Sequence, residues 1–196
     1  MGNIRNFQRL RFFDTETTSL DHQTGEIIQF AVLIEDSFGN IKEQSLKIKP
    51  TLKEGTYQKD ALRINRYTPE LWQDAITWES AAPRIVECLS GWDPIIAHNA
   101  LFDVQFIESC LLRSGWTKGS RTDISKKIFR LGYPVIDTVS LAWMCLDTER
   151  QNLMALREHL DIPKEGGHEA VKDVQDTRVV FWNCVLPIVG YDNDSV

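Results

Sequence analysis

The sequence predicts an α/β fold in which helices cover a mixed sheet of about five strands. Short apolar runs of strand length recur along the chain, at residues 10–13, 27–34, 94–97 and 135–136. Between and after these runs lie segments in which apolar residues recur at helical spacing. The chain has 196 residues, of which 42% are hydrophobic, so it is long enough and apolar enough to bury a sizeable core.

The first three strands form an antiparallel unit. The run over residues 10–13 ends at Asp14, and a second apolar run covers residues 27–34. Gly39-Asn40 then marks a turn, after which residues 41–48 form a third run. Two apolar runs joined by a short turn of this kind predict a hairpin that follows the first strand.

The later strands are shorter and have a different character. Residues 94–97 are apolar throughout, which is typical of a strand buried on both faces in a parallel region of a sheet. Val135-Ile136 predicts one more short strand.

Helices fill most of the remaining chain. Ile85, Val86 and Leu89 lie on one face of an amphipathic helix, and Pro69 suits the first position of a short helix after Thr68. We predict helices over residues 60–67, from Pro69 onward, and over 79–92, 100–114, 153–160 and about 169–189, the last with a bend at Pro187.

Composition excludes several classes of protein. No apolar run approaches the roughly 18–20 residues that cross a bilayer, and the N-terminal residues lack the apolar segment of a signal peptide. We therefore expect a cytoplasmic protein with no membrane contact. The four cysteines, Cys88, Cys110, Cys145 and Cys184, are widely spaced, which predicts buried reduced thiols and not a zinc or disulfide framework.

The charge is unevenly distributed. A net charge of −6 argues against strong non-specific binding of duplex DNA, which depends on lysine and arginine. One segment, Lys118–Arg130, is nevertheless basic, with five Lys or Arg residues and one Asp. Two interpretations stay open for it: a solvated connection, or a surface that faces nucleic acid.

Carboxylates follow the predicted strands. Asp14 and Glu16 are two residues apart at the end of the first strand, so the alternation of a strand points both to one face. Asp103 follows the strand over residues 94–97, in the crevice where α/β sheets bind ligands. His168 and Asp173 lie at the start of the last helix. Carboxylates that converge on one pocket need a hard cation such as Mg²⁺ or Mn²⁺.

These residues carry a family resemblance. Asp14-Thr15-Glu16, then His98-Asn99 with Phe102-Asp103, then His168 with Asp173 match three motifs in order and spacing. The pattern resembles that of the DnaQ-like DEDDh 3′→5′ exonucleases, a family that includes the epsilon proofreading subunit of bacterial polymerase III, RNase T and oligoribonuclease. The resemblance extends from Phe12 to about Phe181, and it implies a single DEDDh domain over residues 1–196 with a core over about 8–190.

The resemblance implies an RNase H-like core and a site for two divalent metal ions, Mg²⁺ or Mn²⁺. Asp14 would bridge the two ions, Glu16 and Asp173 would complete the first site, and Asp103 would support the second. His168 would be the general base, because a histidine with an ordinary pKa near 6.5 can accept a proton near neutral pH. Two cations would neutralise charge and stabilise the leaving oxygen in phosphodiester hydrolysis.

The resemblance also implies a set of substrate-binding residues, namely Thr15, Thr17, Leu20, His98, Asn99 and Phe102. Thr17 would contact the terminal 3′-hydroxyl, Leu20 would wedge between the last two bases, and Phe102 would stack on one base. Ordinary packing stays open for Leu20 and Phe102. His98 and Asn99 either position the substrate or hold their own loop.

One position departs from the family pattern. Ser19 stands where many members have glycine after the paired threonines. Glycine there would allow a close approach of the backbone or a positive φ angle. Ser19 therefore puts the expected pose of the substrate in question and leaves the expected metal site unchanged.

The function predicted from the motifs is a metal-dependent exonuclease that removes nucleotides one at a time from a 3′ end. A single-stranded or frayed end is favoured, and DNA somewhat more than RNA. Two alternatives stay open: a catalytically silent nucleic-acid-binding or scaffold subunit with the same fold, and an RNase H-like endonuclease or integrase. The sequence leaves open whether the chain forms a homodimer or joins a larger nucleic-acid-processing complex.

Overall fold

The structure is a computed structural model that describes residues 8–163 and 169–189. Its strands are β1 Arg9–Thr17, β2 Ile27–Asp36, β3 Ile41–Lys47, β4 Ile95–Ala97, β5 Thr117–Lys118, β6 Ile128–Phe129 and β7 Val135–Asp137. Its α-helices are α1 Lys59–Ile64, α2 Trp78–Leu89, α3 Ala100–Arg113, α4 Thr138–Cys145, α5 Leu153–His159 and α6 Ala170–Val189.

A mixed sheet of five strands organises the fold, in the order β3-β2-β1-β4-β7. β1, β2 and β3 pair in antiparallel fashion, which confirms the predicted hairpin after the first strand. β4 runs parallel to β1, with Phe12 opposite Ile96, and β7 runs parallel to β4, with Ala97 opposite Asp137. The carboxyl ends of three parallel strands therefore meet at one end of the sheet, where ligands bind in α/β folds.

The two faces of β1 serve different purposes. Phe12 packs in a core cluster against α6, whereas Phe13 packs on the opposite face in a larger cluster with α2 and α3. Because side chains alternate along a strand, Asp14 and Glu16 share the α6 face with Phe12, and Thr15 shares the other face with Phe13. The predicted common face of the two carboxylates is confirmed.

β1 is longer than the sequence predicts. Its polar second half continues the ladder with β2 as far as Thr17, with a shift in register between Glu16 and Thr17. The apolar run alone marked only residues 10–13, because carboxylates and threonines at a functional strand end carry no hydrophobic signal. The irregularity lies beside the candidate site, where bulges commonly redirect side chains.

The helix predicted from Pro69 onward is wrong. Residues 69–74 form successive turns, and α2 begins at Trp78 with the Thr77 hydroxyl accepting from the Ser80 amide as its cap. The turns hold Trp72 in the core, where its indole Nε1 donates to the carbonyl of Ile28 at 3.0 Å. This anchoring by tertiary contacts outweighs the local preference of Pro69 for the start of a helix.

The basic segment Lys118–Arg130 has regular structure that the sequence did not predict. β5 and β6 pair in a small parallel sheet, with a 3₁₀ turn at Ile124–Lys126 between them. The Arg130 guanidinium lies 3.8 Å from the centroid of the Trp92 ring, and Leu131 bridges to Ser90. The segment therefore lies at the amino ends of β4 and β7, at the opposite end of these strands from the candidate site.

Helix α6 is attached to the sheet by two independent contacts. The Phe181 ring meets Phe12 edge-on, with the ring centroids 5.4 Å apart. The Arg178 guanidinium donates twice to the buried Glu35 carboxylate, at 2.8 Å each, and the Trp182 indole donates to the same carboxylate at 2.9 Å. These contacts fix the position of the helix that carries Asp173.

All four cysteines are free thiols, as the sequence predicts. The predicted burial is confirmed for Cys110 and Cys184 and is wrong for Cys88 and Cys145, which are half-buried. Among the residues that the structure describes, no helix has both the length and the hydropathy needed to cross a bilayer.

Replacing Phe181 with alanine tests the attachment of α6. The Phe181→Ala variant should lose about 3–5 kcal/mol of unfolding free energy, because the change removes a buried aromatic ring and leaves a cavity against Phe12. Urea denaturation followed by circular dichroism measures this loss. Ile188→Ala on the same helix is the control: its side chain is exposed, so the change should stay within about 0.5 kcal/mol. Equal losses of unfolding free energy in the two variants would contradict the role of Phe181 in attaching α6 to the sheet.

Candidate active site

Three carboxylates converge on the α6 face of the sheet. Asp14 and Glu16 extend from β1, and Asp173 extends from the first turn of α6. One oxygen from each lies within 4.8 Å of the oxygens of the other two, and all three residues are half-buried. A cluster of carboxylate oxygens at this spacing fits a hard divalent cation such as Mg²⁺ or Mn²⁺, which prefers oxygen ligands.

Asp103 approaches the cluster from the other side. It lies in the first turn of α3 and is buried. The Thr15 amide and hydroxyl both donate to its Oδ1, at 2.8 Å and 2.6 Å. Thr15 is predicted to bind substrate; in the structure its backbone amide and its buried hydroxyl hold Asp103 in place.

The carboxylates are crowded enough to change their protonation. Burial, followed by the charges of Asp103, Glu16 and Asp173, raises the pKa of Asp14 well above its usual range. Burial and the charges of Asp173 and Asp103 raise the pKa of Glu16 to about 8. Burial raises the pKa of Asp103 to about 7, although the hydrogen bonds from Thr15 oppose the rise. Such shifts are typical of sites that bind cations or catalyse reactions.

A buried arginine that sequence reasoning missed contacts the same cluster. Arg157, on α5, forms ion pairs with Asp173 and with Asp176, both on α6. No motif or spacing in the sequence marks this contact, because the two helices meet only in the folded chain.

The turn after β1 is held by polar contacts of its own. The Thr17 hydroxyl donates to the carbonyl of Ser19 at 2.7 Å, and the Asn65 side-chain amide donates to the carbonyl of Thr17 at 2.8 Å. Thr17 is buried, whereas Leu20, next to this turn, is 75% exposed. Leu20 is therefore accessible for the predicted contact with bases, and Asn65 is a further residue at the site that supports the turn.

Ser19 fits this turn without strain. Its hydroxyl accepts from the Asp21 amide at 3.0 Å, and its φ angle is not positive. Gly25 leaves the space that Ser19 fills, because a Cβ built on Gly25 would lie 3.0 Å from the Ser19 Cβ. The turn therefore does not need glycine at position 19, and the Ser19 hydroxyl binds the chain's own backbone.

His98 and Asn99 hold the loop between β4 and α3. Asn99 adopts the left-handed conformation with φ of 65°, and its backbone N–H donates to Asp137 Oδ1 at 3.0 Å. The His98 Nδ1 lies 3.0 Å from the Thr138 hydroxyl, and burial lowers the pKa of His98. Of the two interpretations left open by the sequence, these contacts favour the loop-holding role, with Asp137 as an additional anchor.

Phe102 is half-buried and packs against Phe106, with ring centroids 4.8 Å apart. The neighbouring Leu101, at the start of α3, is 64% exposed. Ordinary packing therefore accounts for much of the Phe102 ring.

His168 lies outside the described residues, so its predicted role as a base rests on the sequence motif. Its neighbour Glu169 begins the described C-terminal range, and one of its carboxylate oxygens lies 3.8 Å from a guanidinium nitrogen of Arg66.

The chain is similar in sequence to known exonuclease domains and polymerases. A family model described as exonuclease, RNase T, matches residues 12–181. The PolC-type DNA polymerase III of Clostridium perfringens is 28% identical over 176 residues, which cover 86% of this chain and 11% of the polymerase. The PolC-type polymerase of Thermotoga petrophila is 30% identical over 171 residues, with the same coverage of 86% and 11%. The chain thus spans a small part of these relatives.

Solved structures show the fold. Exonuclease I of E. coli in complex with a dT13 oligonucleotide superimposes with a TM-score of 0.70 at 18% identity, covering 93% of this chain and 42% of that chain. Exonuclease I from Methylocaldum szegediense gives a TM-score of 0.70 at 22% identity, covering 91% and 40%. The predicted RNase H-like α/β fold is confirmed.

The crowded carboxylates predict how stability depends on pH when divalent metal is removed. In a chelator, the free energy of unfolding should fall as pH rises from about 5 to about 8. The reason is that folded Glu16, with its pKa raised from 4.5 to about 8, holds a proton that the unfolded chain releases, so higher pH favours unfolding.

Glu16→Gln should flatten this dependence. The variant should be more stable than the wild type at pH 8, with a smaller difference at pH 5, because glutamine carries no charge to bury. Thermal unfolding in EDTA across this range measures both proteins. If the stability of the two proteins changed with pH in parallel, the raised pKa of Glu16 would be contradicted.

Proposed function

The chain belongs to the exonuclease family whose model matches residues 12–181, and we propose that it is a metal-dependent exonuclease that releases nucleotides from 3′ ends. The observation that carries this proposal is the convergence of Asp14, Glu16 and Asp173 within 4.8 Å. Asp103, whose charge raises the pKa of both Asp14 and Glu16, completes the set of four carboxylates that the motifs predict.

The residues present fit divalent metal ions. Asp14, Glu16 and Asp173 would hold one ion, Asp14 and Asp103 would support a second, and Mg²⁺ or Mn²⁺ suits this all-oxygen donor set. When bound, such ions neutralise charge on the phosphate and stabilise the leaving oxygen. Without them the four carboxylates would repel a phosphodiester.

The chain's own residues would accept the proton of the attacking water and position the substrate. His168 would accept the proton of the attacking water, as the histidine motif predicts. Thr17 and Leu20, at the end of β1, would orient the terminal nucleotide, with Leu20 exposed to meet its base. Phe102 would contact a neighbouring base with the part of its ring that Phe106 leaves uncovered.

Single-stranded DNA is the substrate we favour. The E. coli exonuclease I structures of the same fold hold dT13 and dA16 oligonucleotides, which supports a strand-binding groove in this fold. The relatives by sequence are DNA polymerases, which supports DNA over RNA. A net charge of −6 agrees with a substrate held at one end and not along a duplex.

We further propose that residues 1–196 form a single exonuclease domain that acts in the cytoplasm. We also propose that it acts as a homodimer or inside a larger nucleic-acid-processing complex. Size-exclusion chromatography with light scattering of the purified chain tests for the homodimer.

The alternatives differ in what they do to defined substrates. A scaffold subunit of this fold would bind strands without shortening them. An RNase H-like endonuclease would open a circular strand, which a 3′→5′ exonuclease leaves intact. The presence of all four carboxylates favours catalysis over the scaffold role.

The direct test uses matched single strands of DNA and RNA labelled at the 5′ end, a circular DNA strand, and Mg²⁺, Mn²⁺ or a chelator. We expect a metal-dependent ladder that shortens from the 3′ end, faster for DNA, with the circle intact. Opening of the circle would establish the endonuclease instead. No shortening in any metal would overturn the proposal.

Asp14→Asn tests the carboxylate cluster. We expect turnover to fall by more than about 100-fold, since even outer partners of metal ligands cost 10–100-fold when they are removed. Asparagine keeps the size of the side chain, so the variant should fold normally. Steady-state cleavage of the 5′-labelled DNA strand measures the loss, and activity near that of the wild type would exclude Asp14 from the metal site.

His168→Ala tests the predicted base. Turnover should fall by about 10²–10⁴-fold, the usual contribution of a general base. Metal uptake and strand binding should persist, because His168 is predicted to move a proton and not to ligate metal. Fluorescence anisotropy of a labelled strand in Ca²⁺ measures binding, with His159→Ala as a matched control on an exposed histidine. Loss of strand binding together with activity would make His168 a structural residue.

A further inference from the structure

Arg157 is a buried cation at the edge of the carboxylate cluster. Its side chain is 4% exposed, which is unusual for arginine and requires paired carboxylates. It has two such partners on the neighbouring helix, Asp173 and Asp176. Asp173 belongs to the cluster proposed to hold metal, whereas Asp176 lies one helical turn further along α6.

Asp176 serves as the anchor of this arrangement. Its carboxylate is 1% exposed, accepts from Arg157 Nε at 2.5 Å, and also accepts from Lys172 Nζ at 2.6 Å. Two cations thus hold Asp176, and Asp176 in turn holds the planar guanidinium in one orientation. Arg157 cannot turn away from Asp173 without leaving a buried carboxylate poorly compensated.

The second end of the guanidinium contacts the candidate metal ligand. Arg157 Nη2 donates to Asp173 Oδ1. An arginine fork anchored at one end therefore restricts rotation of the Asp173 carboxylate about its terminal torsion. Hydrogen bonds of this kind to ligating carboxylates commonly set both the orientation of the ligand and its affinity for metal.

We propose that Arg157 is a positioning residue that fixes the Asp173 carboxylate for divalent metal. This inference rests on the proposed function, because it assigns a role within the same metal site. Arg157 acts through Asp173 and not on substrate. Its positive charge also offsets part of the repulsion among the carboxylates when metal is absent.

A purely structural role for Arg157 would be to attach α5 to α6. α6 has separate attachments to the sheet, through Arg178 with Glu35 and through Phe181 with Phe12. Loss of Arg157 should therefore leave α6 in place and remove one restraint on the Asp173 carboxylate. This difference makes the two roles separable by experiment.

The test is Mn²⁺ binding by the full chain without nucleic acid, followed by electron paramagnetic resonance of free Mn²⁺. Arg157→Gln should weaken binding about tenfold or more, within the 10–100-fold range for outer-shell partners. Arg178→Gln is the matched control, since it removes a different arginine ion pair from the same helix. Phe181 and Trp182 still attach α6 to the sheet in this variant, so its affinity for Mn²⁺ should stay within about twofold of that of the wild type. Thermal unfolding reports the loss of stability in both variants.

Arg157→Lys provides the rescue. Lysine restores the positive charge but cannot present the planar fork, so its affinity for Mn²⁺ should lie between those of the wild type and Arg157→Gln. Equal affinities in Arg157→Gln and Arg178→Gln would reduce Arg157 to a structural role. Tighter binding in Arg157→Gln would show that Arg157 competes with metal for Asp173. Either result overturns the inference.

Mn²⁺ binding by the wild-type protein distinguishes failure of this inference from failure of the proposed function. If the wild type takes up no Mn²⁺, or takes up as much as Asp14→Asn does, the metal site itself fails and the inference falls with it. If it takes up Mn²⁺ with an affinity that Arg157→Gln shares, the metal site stands and only the positioning role is overturned.

Discussion

Repulsion among carboxylates in a half-buried site is the constraint on which this structure depends. Asp14, Glu16 and Asp173 lie within 4.8 Å of one another, and Asp103 adds a fourth charge nearby. The raised pKa values of Asp14 and Glu16 are both caused first by burial and then by the neighbouring charges. A fold that holds such a group in place must restrain every member, since like charges at this spacing would otherwise separate.

The restraints come from every layer of the fold. β1 pairs with β2 along its whole length and with β4 at Arg11 and Phe12, so Asp14 and Glu16 extend from a strand that the sheet holds. The backbone amide and the hydroxyl of Thr15 both donate hydrogen bonds to Asp103. Arg157, on α5, donates a hydrogen bond to Asp173 in the same way. Sites on strands and helices hold their geometry better than sites on loops, and here the described carboxylates all stand on such elements.

Relatives and solved structures share the fold, but this chain spans a small part of the polymerases and less than half of the exonuclease I chains that it matches. What the solved structures share with this chain is the fold. The basic segment at the amino ends of β4 and β7 is far from the carboxylates, so it is not part of the arrangement that the motifs describe.

The sequence by itself determined the order of the main strands, the common face of Asp14 and Glu16, and the candidate carboxylates, because apolar periodicity and motif spacing are local properties of the chain. It did not reveal the turns at residues 69–74 or the small β5–β6 sheet, where Trp72 and Trp92 find distant partners. Only the tertiary structure decided that Thr15 binds Asp103 and that Arg157 binds Asp173. Such contacts join residues far apart in sequence, and no local pattern records which distant side chain will meet a buried charge.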